Sequence, residues 1–175
     1  QQSKLPILFH YDIEKLKLTR NLLRKIFSSF SSRKLLSKKK IDVPVILKKH
    51  KSTKERLPYY EEVHEKFFDG YKNKSITVID LGAGVNGLIY NLMPKNTRYV
   101  AVEGVGQLVE LMDRYFKEEE IDNRAKAYHI SLFSLEEIIR LIKKQPQPRI
   151  VLLLKVIDSL ELLKEMINKG YEIII

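Results

Sequence analysis

The chain has no cysteine and no tryptophan among its 175 residues. Without cysteine, disulfides are impossible and zinc–thiolate sites are excluded. The four histidines, His10, His50, His64 and His129, are scattered without metal-ligand spacing, so no metal is expected. No apolar run approaches the roughly 20 residues needed to span a bilayer. The opening QQSKLPILFHYD lacks a signal-peptide layout, so a cytoplasmic protein with no membrane partner is expected. A chain of this length can bury one good core with a small appendage. Glycine is sparse, seven in all, yet three of the seven stand together at Gly82, Gly84 and Gly87.

What the chain has in excess is positive charge, +10 net, and it is unevenly placed. Residues 1–74 hold 19 Lys/Arg against 8 Asp/Glu, whereas residues 75–175 hold 13 against 14. The whole excess precedes the glycine-rich stretch. A phosphate backbone attracts such a segment because each neutralised phosphate releases counterions. A solvated helical surface is the plainer alternative. A membrane surface fits less well, because no Trp/Phe-faced amphipathic anchor is present. The pattern divides the chain into a basic domain over 1–74 and a second domain over 75–175.

The second domain opens with the most informative stretch. Ser75 to Leu81 is a run of Ile, Val and Leu that predicts a buried strand. It ends in Asp80-Leu81-Gly82-Ala83-Gly84, followed by an apolar helical pattern over Val85–Met93. A second strand, Tyr99–Val102, ends on Glu103. Strand, glycine turn, helix, strand and acid make up the first half of a nucleotide-binding α/β sheet. Gly82 and Gly84 let the backbone turn and approach a ligand. The helix start would present free N–H groups to it, and Glu103 can accept hydrogen bonds from ribose hydroxyls. Gly82-x-Gly84-x-x-Gly87, with Glu103 21 residues after Gly82, also fits a dinucleotide fingerprint. Asp80 argues for a cationic or amine-bearing ligand instead, and Asp-x-Gly-x-Gly resembles motif I of S-adenosylmethionine-dependent methyltransferases.

In the basic domain, Asp12 is a plausible N-cap. Ile13, Leu16, Leu18, Leu22, Leu23, Ile26, Phe27 and Phe30 then follow helical spacing, with Lys15, Arg20, Arg24 and Lys25 between them. Arg33–Lys40 is a charge cluster that reads equally as a short helix or an arm. Pro44 makes Ile41–Leu47 a poor central strand and a better linker. Ser52–Glu55 has capping-box spacing, Pro58 breaks the chain at Leu57, and a helix from Pro58 buries Tyr60, Val63, Phe67 and Phe68. Beyond Glu103, a helix over Val105–Glu119, a strand over Ala125–Ile130 and a helix over Leu135–Lys143 continue the alternation. Arg149–Val156 predicts a central parallel strand. A helix capped by Asp158 and a strand over Tyr171–Ile175 follow. A strand edge such as YEIII at a terminus is aggregation-prone, so further C-terminal strands are expected to be missing from this chain.

Three segments together resemble the aminoglycoside-resistance 16S ribosomal RNA (guanine-N7) methyltransferases. They are His50-Lys51-Ser52-Thr53-Lys54-Glu55-Arg56-Leu57-Pro58, Asp80–Asn86 (DLGAGVN), and Leu152–Glu161 (LLLKVIDSLE). The resemblance implies a Rossmann-like methyltransferase sheet behind a small basic all-helical domain, with S-adenosylmethionine as cofactor. It implies ribosomal RNA or the small ribosomal subunit as partner. By position, Arg56 would grip the donor's carboxylate, while Asp80, Gly82, Ala83, Gly84, Glu103, Gly104, Ser131 and Leu132 would form the rest of the donor site. Ser131 stands where the family commonly places an acid near the adenine amine. Lys155 and Asp158 would hold the target, and Arg33, Lys34, Lys38, Lys39, Lys40, Lys48 and Lys49 would meet RNA. Tyr59, Tyr60 and Phe133 are able to stack a base, though core positions suit them better. A non-catalytic RNA-binding protein that keeps the fold is the alternative, and an NAD-dependent oxidoreductase a more distant one.

Overall fold

A computed structural model of the chain describes residues 41–154 and 156. The amphipathic pattern from Asp12, the charge cluster over Arg33–Lys40 and the elements expected after Val156 lie outside the described residues. Three short helices come first: α1 (Val43–Lys49), α2 (Lys51–Arg56) and α3 (Tyr60–Phe68), with a 3-10 turn over Leu57–Tyr59 between the last two. Four strands then alternate with two longer helices: β1 (Ile76–Leu81), β2 (Thr97–Glu103), α4 (Gly106–Glu118), β3 (Ala125–His129), α5 (Leu135–Lys144) and β4 (Arg149–Leu152).

The linker expected around Pro44 is in fact helix α1. Asp42 caps it, its side chain accepting from the Val45 N–H at 3.1 Å, and proline sits in the first turn. There a missing N–H costs nothing and the fixed φ favours a helix. The same proline that excludes a strand therefore starts a helix, which buries Ile46 and Leu47. Leu57 keeps right-handed helical geometry, so Pro58 tightens the chain to a 3-10 turn without breaking it outright.

All four strands are parallel, in the order β3-β2-β1-β4. The chain moves outward from β1 through β2 to β3 and returns to the other side of β1 for β4. That reversal makes the carboxyl end of β1 a topological switch point, the position at which ligands bind in open α/β sheets. The strand read as Arg149–Val156 pairs only to Leu152, and among the described residues β4 is an edge with Val151 and Leu153 half exposed.

Alternate residues of the strands feed two cores, as the period of two demands. Val78, Tyr99 and Ala101 pack with Leu88, Met112, Phe116 and the α1–α3 residues Ile46, Leu47, Tyr60 and Phe68. Ile79, Leu81, Val100 and Val102 pack with Ile138 and Leu141 of α5. Each such side chain contributes about 1.5–3 kcal/mol on full burial, so the sheet is held from both faces. The first core also carries α1–α3, so the residues before the sheet are part of its packing. Helix α3 turns Tyr60, His64 and Phe68 inward. Val63 and Phe67, expected inside, face out instead, because inward positions recur at three to four residues and His64 takes the middle one. Among the described residues no helix is long and apolar enough to cross a membrane.

Candidate active site at the glycine turn

The turn after β1 is held by a set of polar contacts. Gly82 and Gly84 have φ of +71° and +57°, the left-handed region that a Cβ disfavours. Gly82 and Ala83 both donate to the Val102 carbonyl, at 2.8 and 3.1 Å. The turn is thereby sewn to β2. The expected helix over Val85–Met93 is instead a 3-10 segment, Asn86–Leu92, interrupted by non-helical geometry at Ile89. Gly87 explains part of this. A Cβ there would lie 2.8 Å from Phe116 Cζ and 3.0 Å from Met112 Sδ, so the glycine allows the segment to press against α4. A regular α-helix N-terminus is therefore absent from this turn.

Asp80 lies beneath the turn and is 0% exposed. Its Oδ2 accepts from Asn86 Nδ2 and from the Tyr99 hydroxyl, each at 2.9 Å. Asn86 Oδ1 in turn accepts from the Tyr60 hydroxyl at 2.8 Å. Burial raises the Asp80 pKa, against the opposing pull of Asn86, Tyr99 and the Arg56 charge. Asp80 is thus held through Oδ2 by two core residues, while its Oδ1 is buried with no hydrogen-bond partner among the described residues. It ties helix α3 through Tyr60 and Asn86 to the end of β1. Sequence reading missed Asn86 and Tyr99. An Asn directly after a glycine turn, opposite a buried acid, is the signal that was available.

Glu103 ends β2, largely buried, with both oxygens in use. Oε2 accepts from the Gly84 N–H and Oε1 from the Val105 N–H, both at 2.8 Å. A carboxylate offers about four lone-pair directions, so each oxygen retains capacity for a hydroxyl. Gly104 is partly exposed, and its carbonyl accepts from His129 Nε2 at 3.0 Å. Ser131 and Leu132 follow β3, both partly exposed, with Ser131 Oγ accepting from the Phe133 N–H at 3.3 Å. A Cβ on Gly82 would sit 2.5 Å from Val156 Cγ2 and 3.4 Å from Leu132 Cδ1. The space freed at Gly82 is filled by Val156, and Leu132 borders it.

The segment before Pro58 reaches this turn. His50 is 4% exposed, and its ring stands 3.0 Å from where a Gly84 Cβ would be. Its Nδ1 is 2.7 Å from Thr53 Oγ1, a hydrogen bond inside the core. Burial, aided by the Arg56 charge, lowers the His50 pKa to about 4. The same two causes lower His64. Arg56 stacks its guanidinium 5.6 Å from the Tyr60 ring centre. Its Nε and Nη1 are buried with no hydrogen-bond partner among the described residues. His50, which begins the motif, is a site neighbour that the sequence reading left without a role.

The structure therefore gathers Arg56, Gly82, Ala83, Gly84 and Glu103 around one turn, with Gly104, Ser131 and Leu132 following the ends of the neighbouring strands. Tyr60 is core, whereas Tyr59 and Phe133 are exposed. Lys48 and Lys49 are exposed in the last turn of α1. Lys155, Asp158, Arg33, Lys34, Lys38, Lys39 and Lys40 lie outside the described residues. Among the described residues no three His, Asp or Glu are grouped to hold a metal ion.

A four-stranded parallel sheet, a glycine turn after β1 and an acid after β2 define a Rossmann-like methyltransferase fold. The structure of the 16S rRNA methyltransferase RmtF in complex with S-adenosyl-L-homocysteine matches with a TM-score of 0.55 and 18% identity, over 87% of this chain and 73% of that one. At that identity the match speaks for the fold alone. A 79-residue stretch, 44% of the chain, is 34% identical to the 16S rRNA (guanine(1405)-N(7))-methyltransferase of Frankia casuarinae (strain DSM 45818 / CECT 9043 / HFP020203 / CcI3). Over that stretch the chain is similar in sequence to that enzyme. The stretch spans 28% of the length of that curated relative. No family model matches the chain.

Proposed function

We propose that this chain forms part of an S-adenosylmethionine-dependent methyltransferase acting on ribosomal RNA, at guanine N7 of the small-subunit RNA. The observation that carries the reading is Arg56. Two buried guanidinium nitrogens without partners among the described residues cost about 1–3 kcal/mol each until something accepts from them. The donor's carboxylate is such a group, and a guanidinium fork suits it. Gly84 and Glu103, on the same turn, fit the ribose, because the Glu103 oxygens keep lone pairs beyond their two backbone bonds. Gly104, Ser131 and Leu132 are the residues we assign to the adenine end. Asp80, whose buried Oδ1 has no partner among the described residues, we assign to the same donor site from beneath the turn.

When bound, the donor supplies an electrophilic methyl on a sulfonium. Guanine N7 carries a lone pair and no proton, so no general base is required. The chain's task is alignment, and rigid support of the turn by Asp80, Asn86, Tyr60 and His50 suits that task. Lys155 and Asp158 are our candidates for holding the target. The basic segment over 1–74, including the exposed Lys48 and Lys49, is assigned to RNA.

Calorimetric titration with S-adenosylmethionine, S-adenosylhomocysteine and NAD tests the reading. The first two should bind with Kd on the order of micromolar, about −8 kcal/mol. Arg56→Lys should weaken them by about 1–3 kcal/mol, since lysine lacks the paired fork. Binding of NAD alone, or an Arg56→Lys variant that binds the donor like the parent, would refute it.

A further inference from the structure

Arg56, Tyr60, His64 and Phe68 follow one another at four-residue spacing, from the end of α2 through the 3-10 turn into α3. Arg56, Leu57, Tyr59 and Tyr60 all keep right-handed helical geometry, so this spacing lines the four side chains along one side of the chain. Each meets the next. The Arg56 guanidinium carbon lies 5.6 Å from the Tyr60 ring centre. Tyr60 and His64 are 5.7 Å apart between ring centres, and His64 and Phe68 5.6 Å. Phe68 is rooted in the first core, and the column ends on a cation.

That cation is held in an uncommon way. Buried charges are ordinarily paired with an opposite charge, yet among the described residues Arg56 enters no ion pair. His50 and His64 have lowered pKa values, burial being the main cause, so neither adds a second positive charge at neutral pH. An acid in the place of Tyr60 would balance the charge but occupy the guanidinium fork. A ring attracts the cation through its π face and takes none of its N–H groups. The buried Nε and Nη1, without partners among the described residues, are thereby left for a carboxylate from outside.

The ring is itself tethered. The Tyr60 hydroxyl donates to Asn86 Oδ1 at 2.8 Å, and Asn86 Nδ2 donates to Asp80 Oδ2 at 2.9 Å. Burial raises the Tyr60 pKa, which keeps the phenol proton available for that bond. Through Asn86 the tether reaches the turn whose Gly84 N–H is held by Glu103. One side chain therefore touches the group assigned to the donor's carboxylate and is bonded to the turn assigned to its ribose.

We infer that Tyr60 is a positioning residue for the methyl donor: its ring holds the Arg56 guanidinium, and its hydroxyl sets where that guanidinium stands relative to the glycine turn. The role presupposes that Arg56 receives the donor's carboxylate. Tyr60 acts on the donor through Arg56, and its effect is to make the site prefer donors that carry a carboxylate over donors that have lost it.

Decarboxylated S-adenosylmethionine keeps the sulfonium, amine, ribose and adenine and lacks only the carboxylate. The ratio of its Kd to that of S-adenosylmethionine isolates the carboxylate contact, because a loosened turn weakens both and leaves the ratio unmoved. Calorimetry on the full chain should give a parent ratio of at least about thirtyfold. Tyr60→Leu should cut that ratio by about tenfold. Tyr60→Phe, which keeps the ring and the core volume but loses the tether, should cut it by about threefold and decides the matter alone if Tyr60→Leu does not fold. In Arg56→Met, where no cation remains, adding Tyr60→Leu should change the ratio no further. A parent ratio near one, or an Arg56→Met variant with the parent's ratio, would overturn the carboxylate assignment and this role with it. If Arg56→Met abolishes the preference while both Tyr60 variants keep the parent's ratio, the carboxylate assignment stands and the positioning role is overturned. A further loss of preference on adding Tyr60→Leu to Arg56→Met would also overturn it, since Tyr60 would then act by a route other than Arg56.

Discussion

Lowering the pH from 7 to 5 should remove about 2 kcal/mol of stability through His50 alone. The ring is almost fully enclosed, beside Gly84 and hydrogen-bonded to Thr53. Burial and the Arg56 charge lower its pKa from 6.5 to about 4, a difference worth about 3 kcal/mol between the two protonation states. The unfolded chain takes up its proton near pH 6.5, while the folded one resists until about pH 4. The stabilisation is therefore complete above pH 6.5, falls away through that window, and is gone below it. His64, also lowered, acts with the same sign. Urea unfolding at pH 7, 6 and 5 measures the slope, and His50→Asn, which keeps a polar partner for Thr53, should flatten it by about 2 kcal/mol. Any cost of the substitution at pH 7 does not enter that difference. An imidazole that titrates near its ordinary value by NMR, or a His50→Asn slope equal to the parent's, would refute the reasoning.

Three further outcomes follow from the packing of the turn. Gly87→Ala should cost about 1–3 kcal/mol in urea unfolding, because its methyl would press on Phe116 and Met112, both wholly buried. Asn86→Asp keeps the shape but replaces the donor facing Asp80 with an acid. The loss should be about 3–5 kcal/mol at neutral pH, and unfolding at the parent's urea midpoint would contradict the Tyr60–Asn86–Asp80 chain. Glu103→Ala should weaken donor binding by calorimetry and also lower stability by about 1–3 kcal/mol, since it frees the Gly84 and Val105 N–H groups.

The sheet was legible because its signals are local. Ile76–Leu81 is wholly buried, with Ile, Val and Leu at four of its six positions, and the expected helices after Glu103 and Leu135 agree with α4 and α5 within a residue. The proximity of Arg56 and His50 to the turn could be expected only through the resemblance, since nothing in their spacing points there. What stayed hidden depended on partners distant in sequence. Pro44 reads as a breaker until Asp42 is seen capping a helix. Val63 and His64 exchange places because a neutral imidazole packs edge-on between Tyr60 and Phe68. The 3-10 geometry after the turn requires knowing that Phe116 and Met112 press against Gly87. The hold of Tyr99 and Asn86, 19 and 6 residues away, on Oδ2 of Asp80 leaves no local trace in the sequence.

The enclosure of Gly84 bears on how far this architecture can be divided. One side of that residue is held by Glu103, which belongs to the same strand–turn–strand unit. The other is closed by His50, which lies ahead of the sheet in sequence. A graft of residues 75–103 into another parallel sheet would thus bring its acid but lose its second wall, and a gap the size of the imidazole would open behind the turn. The unit that can be exchanged between proteins accordingly includes His50, and chimaeras joined just before β1 would need a replacement for the imidazole.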